Sequence, residues 1–196
     1  MKTRLIILFL FSIIIYGCSS TNDLIKIKSR ADWKALDPKP FKTHVPVRIT
    51  IHHEGEYLDP NANAADKIKK TQVWGMGKDR NWADIPYHFM IDGKGNVFEG
   101  RNVYTAGETN TTYDPSGHLL ITCLGNFEEQ ELTEAQLKSL VDLVAYCCVK
   151  YQISPDTIKG HKDYAETLCP GKNLYKYLQD GSLIKRVKET MKAYEK

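Results

Sequence analysis

Val47-Arg48-Ile49-Thr50-Ile51-His52-His53 alternates apolar with polar side chains. A two-residue period of this kind belongs to a β-strand with one face against a core. Outward from it, Asn61 to Trp74 carries a helical pattern, and two short β-prone runs follow, Ile85 to Asp92 and Asn96 to Arg101. Gly93-Lys94-Gly95 separates these two runs, as the turn of a hairpin requires. His118 to Leu124 is a further apolar, β-prone run. Thr133 opens a helix, because Thr133 and Gln136 have the spacing of a capping box. Leu137, Leu140, Val141, Val144, Cys148 and Tyr151 then recur along one helical face. The chain turns through Ser154-Pro155 to Gly160-His161, and a last helix is expected from Leu174 to about Lys192. The order strand, helix, three strands, two helices predicts an α/β fold, a mixed β-sheet flanked by helices in a single domain.

The N-terminal residues carry a different signal. Met1-Lys2-Thr3-Arg4 is basic, and Leu5 to Tyr16 is apolar apart from Ser12. That run is shorter than the roughly 20 residues a permanent membrane helix needs, and it fits the core of a secretory signal. Ile15-Tyr16-Gly17-Cys18 resembles the lipobox of bacterial lipoproteins, in which the cysteine becomes the lipidated first residue of the mature chain. The expected organisation is therefore a signal peptide over residues 1–17, a lipidated tether over 18–28 with lipid on Cys18, and one domain over 29–196. This implies an exported protein held at the bacterial cell envelope, at the outer membrane or the periplasmic face. Without Lys2 and Arg4, the 27 basic residues fall to 25 against 24 acidic ones. So even a balance gives no basic face for nucleic acid. The chain has no run of like charges and no internal repeat, and a monomer is expected. Cys123, Cys147, Cys148 and Cys169 do not form an obvious disulfide framework.

Chemistry concentrates at three of the six histidines, His52, His53 and His161. In the first strand His53 shares a face with Val47, Ile49 and Ile51, and His52 shares one with Arg48 and Thr50. If the apolar face meets the core, His52 points to the polar side where a site can be built; a bulge at the strand end would reverse the two. His161 and Cys169 lie in one turn-rich segment, Gly160 to Gly171. Imidazole nitrogen and thiolate sulfur both suit zinc, and a third ligand from a distant strand would complete a catalytic set. Neither zinc-finger spacing nor the helical H-E-x-x-H is present: Tyr57 stands where the second His of that motif would be.

Four separated stretches resemble the type 2 N-acetylmuramoyl-L-alanine amidases and the peptidoglycan recognition proteins. They are Ser29-Arg30-Ala31-Asp32-Trp33; Ile49-Thr50-Ile51-His52-His53; Trp82-Ala83-Asp84-Ile85-Pro86-Tyr87-His88-Phe89 with Gly95-Asn96-Val97-Phe98-Glu99-Gly100-Arg101; and Gly160-His161-Lys162-Asp163 with Cys169-Pro170-Gly171. They run in the family's order from Ser29 to about Leu174. The resemblance implies a single amidase or peptidoglycan-recognition domain with one zinc ion per chain on His52, His161 and Cys169. It also implies Tyr87 as the catalytic tyrosine, with Thr167 assisting nearby.

The implied reaction is zinc-dependent hydrolysis of the amide between N-acetylmuramic acid and L-alanine, in peptidoglycan or in muropeptide fragments. Two rivals come from other classes: a module that binds the wall without cutting it, and a cysteine peptidase with Cys169 as nucleophile. One departure stands out, since Ala106-Gly107-Glu108 puts Glu where many relatives carry the His of a Gly-x-His segment. From the alternation at Ile85, Phe89 and Ile91, Tyr87 is expected on their strand face. His88 then falls opposite as a structural partner, and for Trp74 and Trp82 packing is favoured over lining a groove.

Overall fold

The computed structural model describes residues 25–194, so the expected signal peptide and the expected lipid site Cys18 lie outside the described residues. Among the described residues are six strands: β1 (Ile27–Lys28), β2 (Arg48–His53), β3 (Phe89–Ile91), β4 (Val97–Glu99), β5 (His118–Cys123) and β6 (Lys159–Gly160). The α-helices among these residues are α1 (Ala64–Met76), α2 (Glu134–Lys150), α3 (Lys172–Gln179) and α4 (Ser182–Met191). The strands form one mixed sheet in the order β1-β4-β3-β5-β2-β6, in which only the β3–β4 hairpin is antiparallel. This is the mixed, helix-flanked α/β sheet that the sequence predicts.

Alternation along the strands assigns the two faces. Ile49, Ile51, Leu119, Ile121 and Ile91 belong to a core that α2 and α4 close with Leu140, Val144, Leu183 and Val187. The opposite face carries Met90 and Phe98, which pack with Trp33, Ile85 and Ile68 of α1. β2 pairs with β5 in unbroken register from Arg48↔His118 to His53↔Cys123, so no bulge reverses His52 and His53. Thr133 caps α2 by accepting the amide of Gln136. Gln136 does not complete the expected capping box. Its side-chain amide reaches into the sheet instead, donating to the carbonyls of Ile91 and Leu124 at 3.0 and 3.1 Å.

Four expectations change. Ile27 and Lys28, expected within the tether, pair with Val97 and Phe98 as the edge strand β1. The single last helix is two, since Gly181 adopts φ +74° and turns the chain between α3 and α4; glycine takes that left-handed conformation without steric cost. The hairpin strands are also shorter than expected, and pairing begins only at Phe89. As a result Ile85 and Tyr87 pack with the cluster around Trp33 and Met90, on the other side from Phe89 and Ile91. Alternation fails for Tyr87 because the backbone before Phe89 is not in a strand. Finally, Trp74 is half exposed and does not simply pack.

Candidate metal centre and its cleft

His52 is the penultimate residue of β2, on the face away from α2, and lies in register with Thr122 of β5. β6 runs parallel to β2 with Gly160 beside Ile51, so His161, the next residue, emerges at the same carboxyl end of the sheet. Such ends are where parallel strands usually present ligand sites. The two imidazole rings are 4.6 Å apart, centroid to centroid. Cys169 returns on the loop after His161: its carbonyl accepts the Lys162 amide at 2.9 Å, and its own amide donates to Thr167 Oγ1 at 3.2 Å. The sulfur lies 3.3 Å from the His53 backbone nitrogen and 3.5 Å from His52 Nδ1. One donor atom from each of His52, His161 and Cys169 thus comes within 4.8 Å of the others.

Two glycines of the sequence motifs have geometric causes here. A Cβ on Gly100 would sit 2.3 Å from the Tyr87 carbonyl oxygen, which accepts the Arg101 amide. Gly171 has φ +86°, and a Cβ there would lie 2.4 Å from the Phe127 carbonyl carbon. The first close approach holds the turn that carries Tyr87, and the second seats the loop that carries Cys169.

The three clustered side chains are all buried. Burial depresses the His52 pKa well below the usual histidine value, with the neighbouring His161 adding to it, and burial lowers His161 to about 4. Both rings are therefore neutral near pH 7 and can offer a lone pair. Burial pushes the Cys169 thiol up to about 12, so without a cation it stays protonated. His52 Nε2 is buried and finds no hydrogen-bond partner among the described residues. Two neutral imidazoles and a thiol that a cation would ionise form a borderline-soft donor set, which fits zinc. All four cysteines among the described residues are free.

The cluster lies at the floor of a cleft of about 950 Å³ whose walls include Glu54, Lys67, Trp74, Tyr87, Glu108 and Thr167. The Tyr87 ring is 5.4 Å from that of His52. Burial, and secondarily the nearby Cys169, raise the Tyr87 pKa, so the phenol keeps its proton. Thr167 is half-buried at the wall. His53 stays on the core side, where its Nδ1 accepts the Phe127 amide at 3.2 Å. His88 is structural, bridging the Leu120 amide and the Thr105 carbonyl. Glu108, the departure noted in the sequence, pairs with the buried Arg101 and accepts the Ala83 amide at 2.8 Å. Trp74 meets Trp82 edge-on at 5.6 Å on the cleft wall. Sequence reasoning missed Thr111, whose hydroxyl is 2.8 Å from His161 Nε2. Nothing in the run Thr109-Asn110-Thr111-Thr112 singles it out, since its partner is fifty residues away along the chain.

A protein-family model for N-acetylmuramoyl-L-alanine amidases matches residues 42–172, a span that contains every clustered side chain above. The chain belongs to the N-acetylmuramoyl-L-alanine amidase family. Among curated relatives of this amidase-family chain, peptidoglycan recognition protein 1 of Bos taurus is 30% identical over 176 residues, covering 87% of this chain and 92% of that protein. Among solved structures, the endolysin amidase LysCS of Clostridium intestinale superposes with a TM-score of 0.64 at 28% identity, covering 80% of this chain and 95% of that one. Peptidoglycan recognition protein LE, solved in complex with tracheal cytotoxin, a monomeric diaminopimelic acid-type peptidoglycan, gives 0.69 at 29% identity, covering 79% and 92%.

Proposed function

We propose that the protein is a zinc-dependent N-acetylmuramoyl-L-alanine amidase that acts as a monomer on peptidoglycan or its muropeptide fragments. The observation that carries this reading is the convergence of His52, His161 and Cys169 beside Tyr87 at the floor of an open cleft. His52, His161 and Cys169 would hold the ion. Zinc, when bound, supplies Lewis acidity and lowers the pKa of a coordinated water to about 7. The cleft walls hold the muramoyl peptide so that its scissile carbonyl lies beside the Tyr87 hydroxyl. That hydroxyl keeps its proton and donates a hydrogen bond as the carbonyl oxygen gains charge, a contribution of about 3 kcal/mol for a single donor. Thr167 holds the Cys169 loop through the Cys169 amide and borders the same space.

Binding of muropeptide fragments is supported by the relative whose structure holds tracheal cytotoxin. A binding-only role needs neither the phenol beside the cluster nor its three donors. A Cys169 nucleophile is disfavoured because that role needs an accessible thiolate, whereas this thiol is buried and protonated. The test is zinc content together with mass analysis of products from purified sacculi and from soluble muropeptides. One zinc per chain, release of stem peptide, and loss of both activity and metal in His52→Ala, His161→Ala and Cys169→Ala are expected, with zinc kept in His53→Ala. Intact muropeptide after incubation with the zinc-loaded protein would leave binding as the function.

The N-terminal signal, read with this activity, supports a lipid anchor on Cys18 that holds the domain at the envelope. Cys18→Ala is expected to release the protein from membranes or stall its processing. A wild-type protein that fractionates in solution with no lipid mass on Cys18 overturns the anchor.

A further inference from the structure

Thr111 lies on the loop between β4 and β5, and nothing about the metal cluster requires a hydroxyl there. Its Oγ1 nevertheless sits 2.8 Å from His161 Nε2 and 2.9 Å from Thr109 Oγ1, and its backbone amide donates to that same Thr109 oxygen at 3.1 Å. The segment is tied down at both ends of this contact. Upstream, Glu108 is held by the buried Arg101. Downstream, the Tyr113 ring packs 5.1 Å from the His161 ring and stacks on Tyr164 at 5.9 Å. The Thr111 hydroxyl therefore meets His161 from a fixed position.

A histidine ligand binds metal through one ring nitrogen, and the group bonded to the other nitrogen selects the tautomer and sets the ring's orientation. With Nε2 occupied by a hydroxyl, Nδ1 is the nitrogen left to offer a lone pair. Hydrogen bonding allows this arrangement throughout: His161 Nε2–H donates to Thr111 Oγ1, and the Thr111 hydroxyl donates onward to Thr109 Oγ1. We infer that Thr111 is a positioning residue for His161, fixing its Nε2-protonated tautomer before metal arrives, with Thr109 completing the chain of hydroxyls. The inference rests on the proposal that His161 is a zinc ligand. It adds a second layer to the site, drawn from a loop distant in sequence from all three ligands.

The test compares Thr111→Val, which keeps the shape and loses the hydroxyl, with Thr111→Ser, which keeps the hydroxyl. Zinc affinity is measured by competition with a chelating dye, and the His161 tautomer is read by ¹⁵N NMR of metal-free wild type. Zinc binding should weaken about 10- to 100-fold in Thr111→Val, the range for loss of a ligand's outer hydrogen bond, and return to near wild type in Thr111→Ser. Metal-free wild type should show His161 protonated on Nε2. Wild-type affinity in Thr111→Val, or an Nδ1-protonated ring in wild type, overturns the inference. Should Thr111→Val fail to fold, the serine variant and the wild-type tautomer still decide. A wild type that binds no zinc at all defeats the metal reading itself, a different result from a valine variant that binds as well as its parent.

Discussion

The Tyr87 and His52 rings lie 5.4 Å apart between centroids, and the proposed role of Tyr87 is separate from that of the candidate ligands His52, His161 and Cys169. That separation allows chemistry to be tested apart from metal binding. Tyr87→Phe keeps the ring's contacts with the cluster around Trp33 and Met90 and removes only the hydroxyl. Folding and zinc content should stay near wild type while kcat falls on the order of 10²-fold, with KM little changed, since in the proposed role the lost bond strengthens in the transition state. Steady-state kinetics on a defined muropeptide, with zinc measured on the same sample, checks this; a wild-type rate would make Tyr87 a packing aromatic. Thr167→Val should show a smaller or similar loss, since Thr167 Oγ1 accepts the Cys169 amide and so holds the Cys169 loop.

Among the elements, α2 is joined to the sheet by more than its apolar stripe. Gln136, buried in its first turn, donates to the Ile91 and Leu124 carbonyls at the ends of β3 and β5. Gln136→Met preserves helix propensity and volume but strands the Leu124 carbonyl, which costs about 1–3 kcal/mol, while the Ile91 carbonyl keeps the Leu124 amide at 2.8 Å. Urea unfolding should show a loss of about 1–3 kcal/mol, with the zinc content of the folded protein unchanged. An unchanged unfolding midpoint would mean that water reaches the Leu124 carbonyl. At the other end of the chain, Gly181 allows α4 to turn back on α2 and close the core with Leu183 and Val187.

Over the whole molecule, burial pulls every histidine in the same direction. Away from the cluster of His52, His161 and Cys169, His88 is lowered to about 3 and His118 to about 4, each mainly by burial, and burial also lowers His44. The folded protein keeps these rings neutral at a pH where the unfolded chain has taken up protons. A depressed folded pKa contributes stability that is present above the unfolded value of about 6.5 and lost as pH falls towards the folded one. Chelator-treated protein should accordingly melt at progressively lower temperature from pH 7 to pH 5 and show little change from pH 7.5 to 8.5. Glu54, raised by burial, acts in the opposite sense but is a single group. His88→Gln should flatten the slope. A melting temperature at pH 5 equal to that at pH 7.5 would contradict the account.

What the sequence determined by itself is local or periodic. Alternation in β2 placed His52 and His53 on opposite faces, and it held because parallel pairing with β5 runs unbroken to the strand end. The helical stripe of α2 and the glycine turn of the hairpin are likewise carried by neighbours a few residues apart. The same reasoning failed for Tyr87, whose facing depends on where pairing with β5 begins, and for the last helix, where one glycine outweighs the surrounding pattern. The two-residue strands β1 and β6 have no period to detect; they exist because β4 and β2 offer them an edge. The tertiary structure alone decided that β6 lies beside β2, which brings His161 and Cys169 to His52 across more than a hundred residues. It alone brought Thr111 to His161. Those meetings follow from strand order and loop path, which are set by the burial of both sheet faces together and not by any single stretch of chain.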